Sequence, residues 1–476
     1  MGSGPISDDI NQRSVESPKV GSGFFGTTLL ARAARGSTWT ALTFVISQGA
    51  RFVSNLILAR LLFPESFGIM ALVTMMLIGL TLISDMGIAQ SIMQSKRGDE
   101  PDFLDTAWTL QIIRGFILWL AACALALPAA AFYEQPVIAL MLPVAAVSLL
   151  FAALEPIRVE TANRHLLIGR VTALDLAATL IGIISMVILA WATRSTWALV
   201  AGWVVTAIVR LMFMWLFLPG PGNRLRWEKS AGSELMHFGL WIFLSSICGL
   251  LVTQGDRAIL GKFLSIDGLG IYNIGMFLAS FPLMLGTMIT SRVLIPLYRE
   301  HLNTEDQSAR NRLFKLRYYL TALMLAVLFV LALSGPWIVQ LLYDDRYLAA
   351  GGIIVAVASV QMITVVSLTY DQAALATGDS RGFFGVSLTK AVLSTGGFLI
   401  GVSLYGLYGA ITGLGIALLL YHPFIVLLAR RHKAWDGRHD LIFLPVAILL
   451  GAIAVWANWP DVKLLIPGST GILHAG

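Results

Sequence analysis

The sequence predicts an all-α polytopic membrane protein, with about 13 transmembrane helices (12 to 14) in two parallel six-helix lobes around a central cavity. Three observations predict it. Of 476 residues, 57% are hydrophobic and only 13% charged, whereas a soluble domain carries about 25% charged residues. Apolar runs long enough to cross a bilayer as helices follow one another along the chain. With the N-terminus placed in the cytoplasm, 22 of the 33 Lys and Arg fall in cytoplasmic segments, 5 in outer loops and 6 inside spans. That is the positive-inside pattern.

In chain order, residues 1–36 are polar and Gly/Ser-rich, with no apolar core, and read as a disordered cytoplasmic tail without a signal peptide. Spans are expected at 37–59, 67–94, 106–131, 136–156, 172–193 and 196–218, the N-lobe. The segment 219–236 is a cytoplasmic linker. Further spans at 237–261, 268–297, 317–342, 350–376, 382–404 and 409–429 make a C-lobe over 237–431. An extra helix at 441–459 and a tail complete 432–476. The run from Ala391 to Ala429 holds no Asp, Glu, Lys or Arg. It is too long for one crossing and is divided at Tyr405-Gly-Leu-Tyr-Gly409. The loops are too short to fold as domains, so any chemistry belongs inside the bundle. Cys123 and Cys248 lie in apolar runs and imply neither a disulfide framework nor a metal site.

The first span sets the functional question. Thr40, Thr43, Ser47, Gln48, Arg51, Ser54 and Asn55 recur at spacings of three and four, which puts them on one helix face. A charge at membrane depth costs at least about 2.5–3.5 kcal/mol, so Arg51 needs a wet cavity or a partner. Either this helix offers a cation to a hydrated cavity, or Arg51 pairs with a carboxylate for structure alone.

The second half echoes the first. Leu58/Leu260, Arg60/Lys262, Leu62/Leu264, Glu65/Asp267, Gly68/Gly270 and Ile69/Ile271 coincide at an offset of 202. Six crossings separate the copies, so they point the same way, as expected of two lobes related by an axis along the membrane normal.

Arg35-Gly-Ser-Thr-Trp39, Gln48-Gly-Ala-Arg51, the stretch Leu58 to Ile69, Ser84-Asp-Met-Gly-Ile88 and the stretch Leu260 to Tyr272 carry a family resemblance. Over about 37–431 the chain resembles the bacterial polysaccharide transporter branch of the multidrug/oligosaccharidyl-lipid/polysaccharide exporter superfamily. The resemblance implies a flippase that moves a polyprenyl-diphosphate-linked oligosaccharide from the cytoplasmic to the outer leaflet of the bacterial inner membrane. It implies lipid-linked oligosaccharide and membrane lipids as partners, with a polysaccharide polymerase and a chain-length regulator alongside. A thirteenth span departs from the even helix counts usual in that family.

Charges inside the spans are the candidate site. A diphosphate cannot cross hydrocarbon unaided, and Arg grips phosphate oxygens bidentately. The substrate-binding candidates are Arg51, Gln48, Asn55, Arg114, Arg257 and Lys390. Each has a structural alternative. Arg114 sits where it can snorkel to the cytoplasmic interface. Arg257 follows Asp256 and can form a local charge pair. Arg210 and Lys390 lie about one-third of a span from the cytoplasm, and Arg292 can snorkel inward. Asp85, Glu155 and Asp371 are candidates for coupling to H+ or Na+. They can equally neutralise a nearby Arg, and Asp85 can close its helix before Met86-Gly87.

His422 precedes Pro423 and reads as part of a kinked helix. No cofactor is expected. The sequence has no GxxxxGK[ST] phosphate loop and no HExxH, and its basic loops follow membrane topology, not nucleic-acid binding. The rival readings are a cation-coupled small-molecule exporter of the same superfamily, and a membrane glycan polymerase or ligase, which would be expected to carry a large outer loop.

Overall fold

Prolines open two of the helices that define the bundle. Pro64 and Pro101 stand at the first turn of their helices, where a missing N–H costs nothing, after extended residues at Phe63 and Glu100. The computed structural model describes residues 29–467 apart from 85–86, 166–167, 221, 304–306, 371–378 and 433; side chains are further set aside at 29–41, 94, 168, 230, 233–245, 291–303, 307–312 and 380. The helices are α1 (Leu29–Leu61), α2 (Pro64–Ile83), α3 (Ile88–Gln94), α4 (Pro101–Phe132), α5 (Ile138–Ala153), α6 (Arg158–Arg164), α7 (Ile168–Thr193) and α8 (Trp197–Phe217). They continue as α9 (Lys229–Phe263), α10 (Ile266–Asn303), α11 (Gln307–Leu342), α12 (Ala349–Ser367), α13 (Ser380–Arg431), α14 (Gly437–Ala457) and α15 (Trp459–Val462).

Among the described residues, ten helices are long and apolar enough to cross a bilayer, or up to eleven if α5 and α6, bent by 62° at their junction, count as one span. The expected spans differ from this in identifiable places. The first helix begins at Leu29, inside the expected tail, because Leu, Ala and Arg in 29–35 are strong helix formers. The expected span 67–94 is broken into α2 and α3, with Gly87 in the left-handed region (φ 61°) at the start of α3. The expected spans 382–404 and 409–429 run as one helical assignment, α13, with two non-helical residues, Tyr405 (φ −136°) and Gly406 (φ 58°). There the chain folds back on itself. A Cβ on Gly401 would stand 2.0 Å from the Gly409 carbonyl oxygen, and one on Gly397 would stand 2.6 Å from that of Gly413. Glycines thus let the two halves lie backbone to backbone.

Loops fall on two ends. At one end, rich in Lys and Arg, Arg97 pairs with Glu228 at 2.9 Å, Arg164 with Asp99 at 3.1 Å, and the Ile157 N–H donates to Asn223 at 3.2 Å. Residues 222–228 run extended along α4, where backbone N–H groups of Arg224 and Glu228 donate to Asp105 and Thr106. Part of the expected linker is therefore strapped to α4. At the opposite end, Lys262 pairs with Glu134 at 2.6 Å and Ser66 bonds to Thr196 at 2.8 Å. Arg346 there donates to the Ala59 and Leu62 carbonyls at 3.1 and 3.3 Å, and capping the α1 C-terminus suits a cation. Around the waist, large apolar side chains face outward, among them Ile184 (57% exposed) and Val330 (64%), as lipid contact requires.

The helices pack within two sets. In the first, α1 lies on α7, α7 on α8, α8 on α5 and α5 on α4; in the second, α12 lies on α10, α11, α13 and α14, and α13 on α9. The sets meet where α2 lies on α10 and α9. This seam joins the two copies of the sequence repeat. A Cβ on Gly68 would be 2.0 Å from the Ile266 carbonyl oxygen, and one on Gly270 would be 1.9 Å from that of Pro64. Positions 64 and 266 are themselves equivalent at the offset of 202, so the contact is reciprocal.

A buried polar knot ties α14 to the second set. Arg317 is fully buried and lies 3.7 Å from the Tyr370 ring centroid. Its guanidinium is 3.6 Å from the Asp440 carboxylate and 3.2 Å from His439. Asp440 also accepts from Tyr370 at 2.6 Å and Trp435 at 3.0 Å, and His422 stands 3.3 Å away. His422 therefore belongs to this knot, beyond any part it has in a kink at Pro423.

Two outcomes are expected. Gly270→Ala must push α2 and α10 apart, because the atom it meets is backbone, and should cost about 1–3 kcal/mol. Gly249→Ala has nothing within 4 Å and should cost nothing. Thermal unfolding in detergent compares the two. Asp440→Ala leaves Arg317 buried without its carboxylate and should cost about 3–5 kcal/mol, whereas Arg317→Met with Asp440→Leu should recover much of the loss.

Candidate functional site

The seam encloses a cavity of about 270 Å³. Arg51, Ser54, Asn55 and Leu58 of α1 line it, with Phe67, Met70, Ala71, Thr74 and Ile78 of α2. Met186 of α7, Leu199 and Trp203 of α8, Gln254 and Arg257 of α9, and Asn273 and Phe277 of α10 complete the wall. At about 1.5 Å per residue, Arg51 lies roughly 15 Å along the axis from the end of α1, and Arg257 roughly 9 Å from the end of α9. The cavity therefore sits under the reciprocal glycine contact, in the half of the bundle away from the basic loops.

The polar stripe of the first span delivers its cation here. Arg51 lines the cavity, and among the described residues it makes no hydrogen bond or ion pair. Arg257 is the second cation and is held by its neighbours. Its guanidinium donates to Asn273 at 3.2 Å, Gln254 at 3.2 Å and the Thr253 carbonyl at 3.3 Å. Asp256 behind it accepts from the Arg257 backbone N–H and from Tyr272, both at 2.8 Å, and its carboxylate lies 3.8 Å from the guanidinium. Arg257 is thus both locally paired and on the wall. No Asp or Glu lines the cavity among the described residues. Two guanidinium groups facing one small space with amides between them suit an anion that accepts several hydrogen bonds. The volume lies just below the ~300–1,000 Å³ of sites that hold a drug-sized ligand, so it takes a head group and not a whole oligosaccharide.

Other expected site residues divide. Asn55 lines the cavity, and its side-chain oxygen accepts from Tyr343 at 3.2 Å. Gln48 is buried one turn further along, with its amide 3.6 Å from the Met284 sulfur on α10, so it packs across the seam and not into the cavity. Arg114 donates to the Ser84 hydroxyl at 3.0 Å and the Thr81 carbonyl at 2.9 Å. It caps the C-terminus of α2, where a cation is favoured, and is not brought to the cavity. Lys390 stands 5.7 Å from the Tyr421 ring between the halves of α13, also away from the cavity. Glu155 is buried and pairs with Arg210, which also bonds to Asp175 at 2.6 Å. Asp85 and Asp371 lie outside the described residues, as does the side chain of Arg292.

Gln254, Asn273 and Trp203 were not among the expected residues. Gln254 and Arg257 stand three apart on one face, as Gln48 and Arg51 do, and Arg257 is the repeat equivalent of Asn55. Carrying the offset of 202 inward from the outer loops would have found the α9 wall. Nothing in the sequence marks Asn273.

The polysaccharide biosynthesis protein family matches residues 57–351. The lipopolysaccharide biosynthesis protein WzxC of Escherichia coli K12 is 24% identical over 326 residues, 67% of this chain and 65% of its own length, just under two thirds. The succinoglycan biosynthesis transport protein ExoT of Rhizobium meliloti is 22% identical over 381 residues, 80% of this chain and 74% of its own. Among solved structures, the lipid II flippase MurJ in an inward closed conformation superposes with a TM-score of 0.64 at 11% identity, covering 90% of this chain and 97% of that one. An inward-facing multidrug resistance MATE family transporter of the MOP superfamily gives 0.60 at 17% identity, covering 83% and 98%. These matches bear out the family resemblance and the all-α polytopic fold.

The two membrane arginines should behave differently. Arg51→Ala removes a charge without a described partner and should leave stability within about 0.5 kcal/mol. Arg210→Ala strands the buried Glu155 and should cost about 3–5 kcal/mol. Denaturation of the purified variants measures both. A large loss on Arg51→Ala would make that residue a structural one.

Proposed function

The chain belongs to the polysaccharide biosynthesis protein family, and we propose that it is a flippase for a polyprenyl-diphosphate-linked oligosaccharide. In this reading it moves the carrier from the cytoplasmic to the outer leaflet of the bacterial inner membrane for exopolysaccharide or other surface polysaccharide assembly. The observation that carries the reading is the pair Arg51 and Arg257 on a cavity without a described carboxylate. A diphosphate is the part of such a lipid that hydrocarbon rejects, and two guanidinium groups at membrane depth replace the water it leaves behind.

Transport would proceed by alternating access, with the two helix sets rocking about the seam. The state described is closed away from the basic end. Arg346 holds the α1 C-terminus, Tyr347 donates to the Leu62 carbonyl at 3.4 Å, and its ring meets Phe67 edge-on at 6.2 Å. Asp344, in the adjoining turn, is drawn below the usual carboxylate range by its hydrogen bonds from Arg346, which keeps this clamp charged at neutral pH. Opening on that side would part Arg346 from α1 and break the reciprocal glycine contact. With no phosphate loop in the sequence, an H+ or Na+ gradient is the energy source in this reading. Glu155, buried and held by Arg210, is a candidate for that coupling in this reading. A polymerase and a chain-length regulator would act on the exported lipid. A cation-coupled exporter of cationic compounds is the second reading, and the two guanidinium groups weigh against it.

Proteoliposomes containing a polyprenyl-diphosphate-linked oligosaccharide test this. Arg51→Ala and Arg257→Ala should each slow translocation at least about tenfold, since a charged hydrogen bond contributes about 1.5–3 kcal/mol. Arg51→Lys should keep part of the activity. Full rates in both alanine variants would sink the proposal. Orientation is tested separately in cells, in a background without Cys123 and Cys248. Arg194→Cys should react with an impermeant thiol reagent and Lys96→Cys should not; the reverse pattern would invert the topology.

A further inference from the structure

We infer that the apolar groove between α2, α4 and α9 holds the first isoprene units of the carrier lipid whose diphosphate lies on Arg51 and Arg257; this rests on the reading above. The groove has a volume of about 540 Å³, and its wall includes Met76 and Gly79 of α2, Leu125 and Pro128 of α4, and Leu251 and Gly255 of α9. Gln254 lines both this groove and the cationic cavity. The Gln254 amide oxygen in turn accepts from Arg257 at 3.2 Å. One residue therefore separates the groove from the anion-binding group. A ligand with a doubly charged head and an apolar tail matches that adjacency: its head finds two guanidinium groups and its tail finds a wall that, apart from Gln254 and the Tyr133 hydroxyl, offers it only apolar surface.

The groove is open to the bilayer, since Phe132, Ile83 and Leu251 on its wall are 56%, 41% and 38% exposed. The rest of a long prenyl chain can stay in the membrane while the first units are held. Glycine makes the hollow. A Cβ on Gly79 would meet only Leu250, on the same wall, at 3.4 Å. A second apolar groove of about 400 Å³ lies between α1 and α7, lined in part by Gly49, Ile184 and Ile188. It lies within one helix set. The α2, α4 and α9 groove spans both, so rocking of the sets changes its shape, and head and tail sites can move together.

The test uses two probes on the full-length protein in nanodiscs: a photoreactive polyprenyl diphosphate with a diazirine on its second isoprene unit, and methyl diphosphate, which has the same head and no prenyl tail. Crosslinks from the long probe should fall on Met76, Leu125 and Leu251. Gly79→Leu should weaken long-probe binding at least about tenfold, because filling the hollow displaces several methylenes of the tail, each about fourfold in affinity. The same variant should bind methyl diphosphate within about threefold of wild type, which also shows that it folds. Gly49→Leu, which fills the other groove, should change neither.

Crosslinks on Ile184 and Ile188 would overturn the assignment. So would equal labelling of Met76 and Leu251 by a diazirine phospholipid that competes with the long probe, since the groove would then hold ordinary acyl chains. If methyl diphosphate binding does not depend on Arg51 or Arg257, the diphosphate reading itself fails, whatever the tail does.

Discussion

Gly68 and Gly270 let α2 and α10 approach until the carbonyl oxygen of one helix occupies the space a side chain would take on the other. Everything at the centre of the molecule follows from that distance. Close approach at one end fixes how the two helix sets meet, and the wall of the cavity is assembled from both. Arg51 comes from the first set and Arg257 and Asn273 from the second. Around it the apolar side chains of α2 and α10 pack into one core, and among the described residues no ion pair joins the two helices. Contacts between small residues bury little area beyond backbone packing.

The sequence carried the membrane character, the alternation of the loop ends and the polar face of α1, because each is written locally in hydropathy, charge or spacing. Gly68 and Gly270 were visible as a repeat pair, but not as partners across a seam, since similarity says nothing about contact. The fold-back at Tyr405 was legible because glycine and aromatic residues interrupt a run too long for one crossing. The break at Gly87 was not, because hydropathy continues through it. Among the charges, Arg51 was readable from its own helix. The roles of Arg114, Arg210 and Arg317 were not, because each is decided by a residue 30 to 123 positions away.

Several cations at the basic end hold helix termini. Arg114 closes α2, Arg158 donates to the Met214 and Trp215 carbonyls at the end of α8, and Arg164 donates to the Ser95 carbonyl after α3. Each meets carbonyls that have no intrahelical partner and the negative end of a helix dipole. The charge asymmetry that orients a membrane protein is here also a set of caps. Arg51 and Arg257 differ in lining a cavity within the bundle, and that difference in position, more than charge itself, separates the ligand-facing arginines from the rest.

The knot around Arg317 bears on how the protein is made. Arg317 leaves the ribosome roughly 120 residues before Asp440, His439 and Trp435, on the order of ten seconds at ordinary rates of synthesis. During that interval α11 carries a cation whose carboxylate does not yet exist, close to the membrane boundary. The last long helix then supplies the neutralising group, so docking of α14 completes the second helix set. A chain that stops before residue 436 would leave that arginine facing lipid or water. The position of Asp440 thus makes the last long helix the one that supplies the carboxylate beside Arg317.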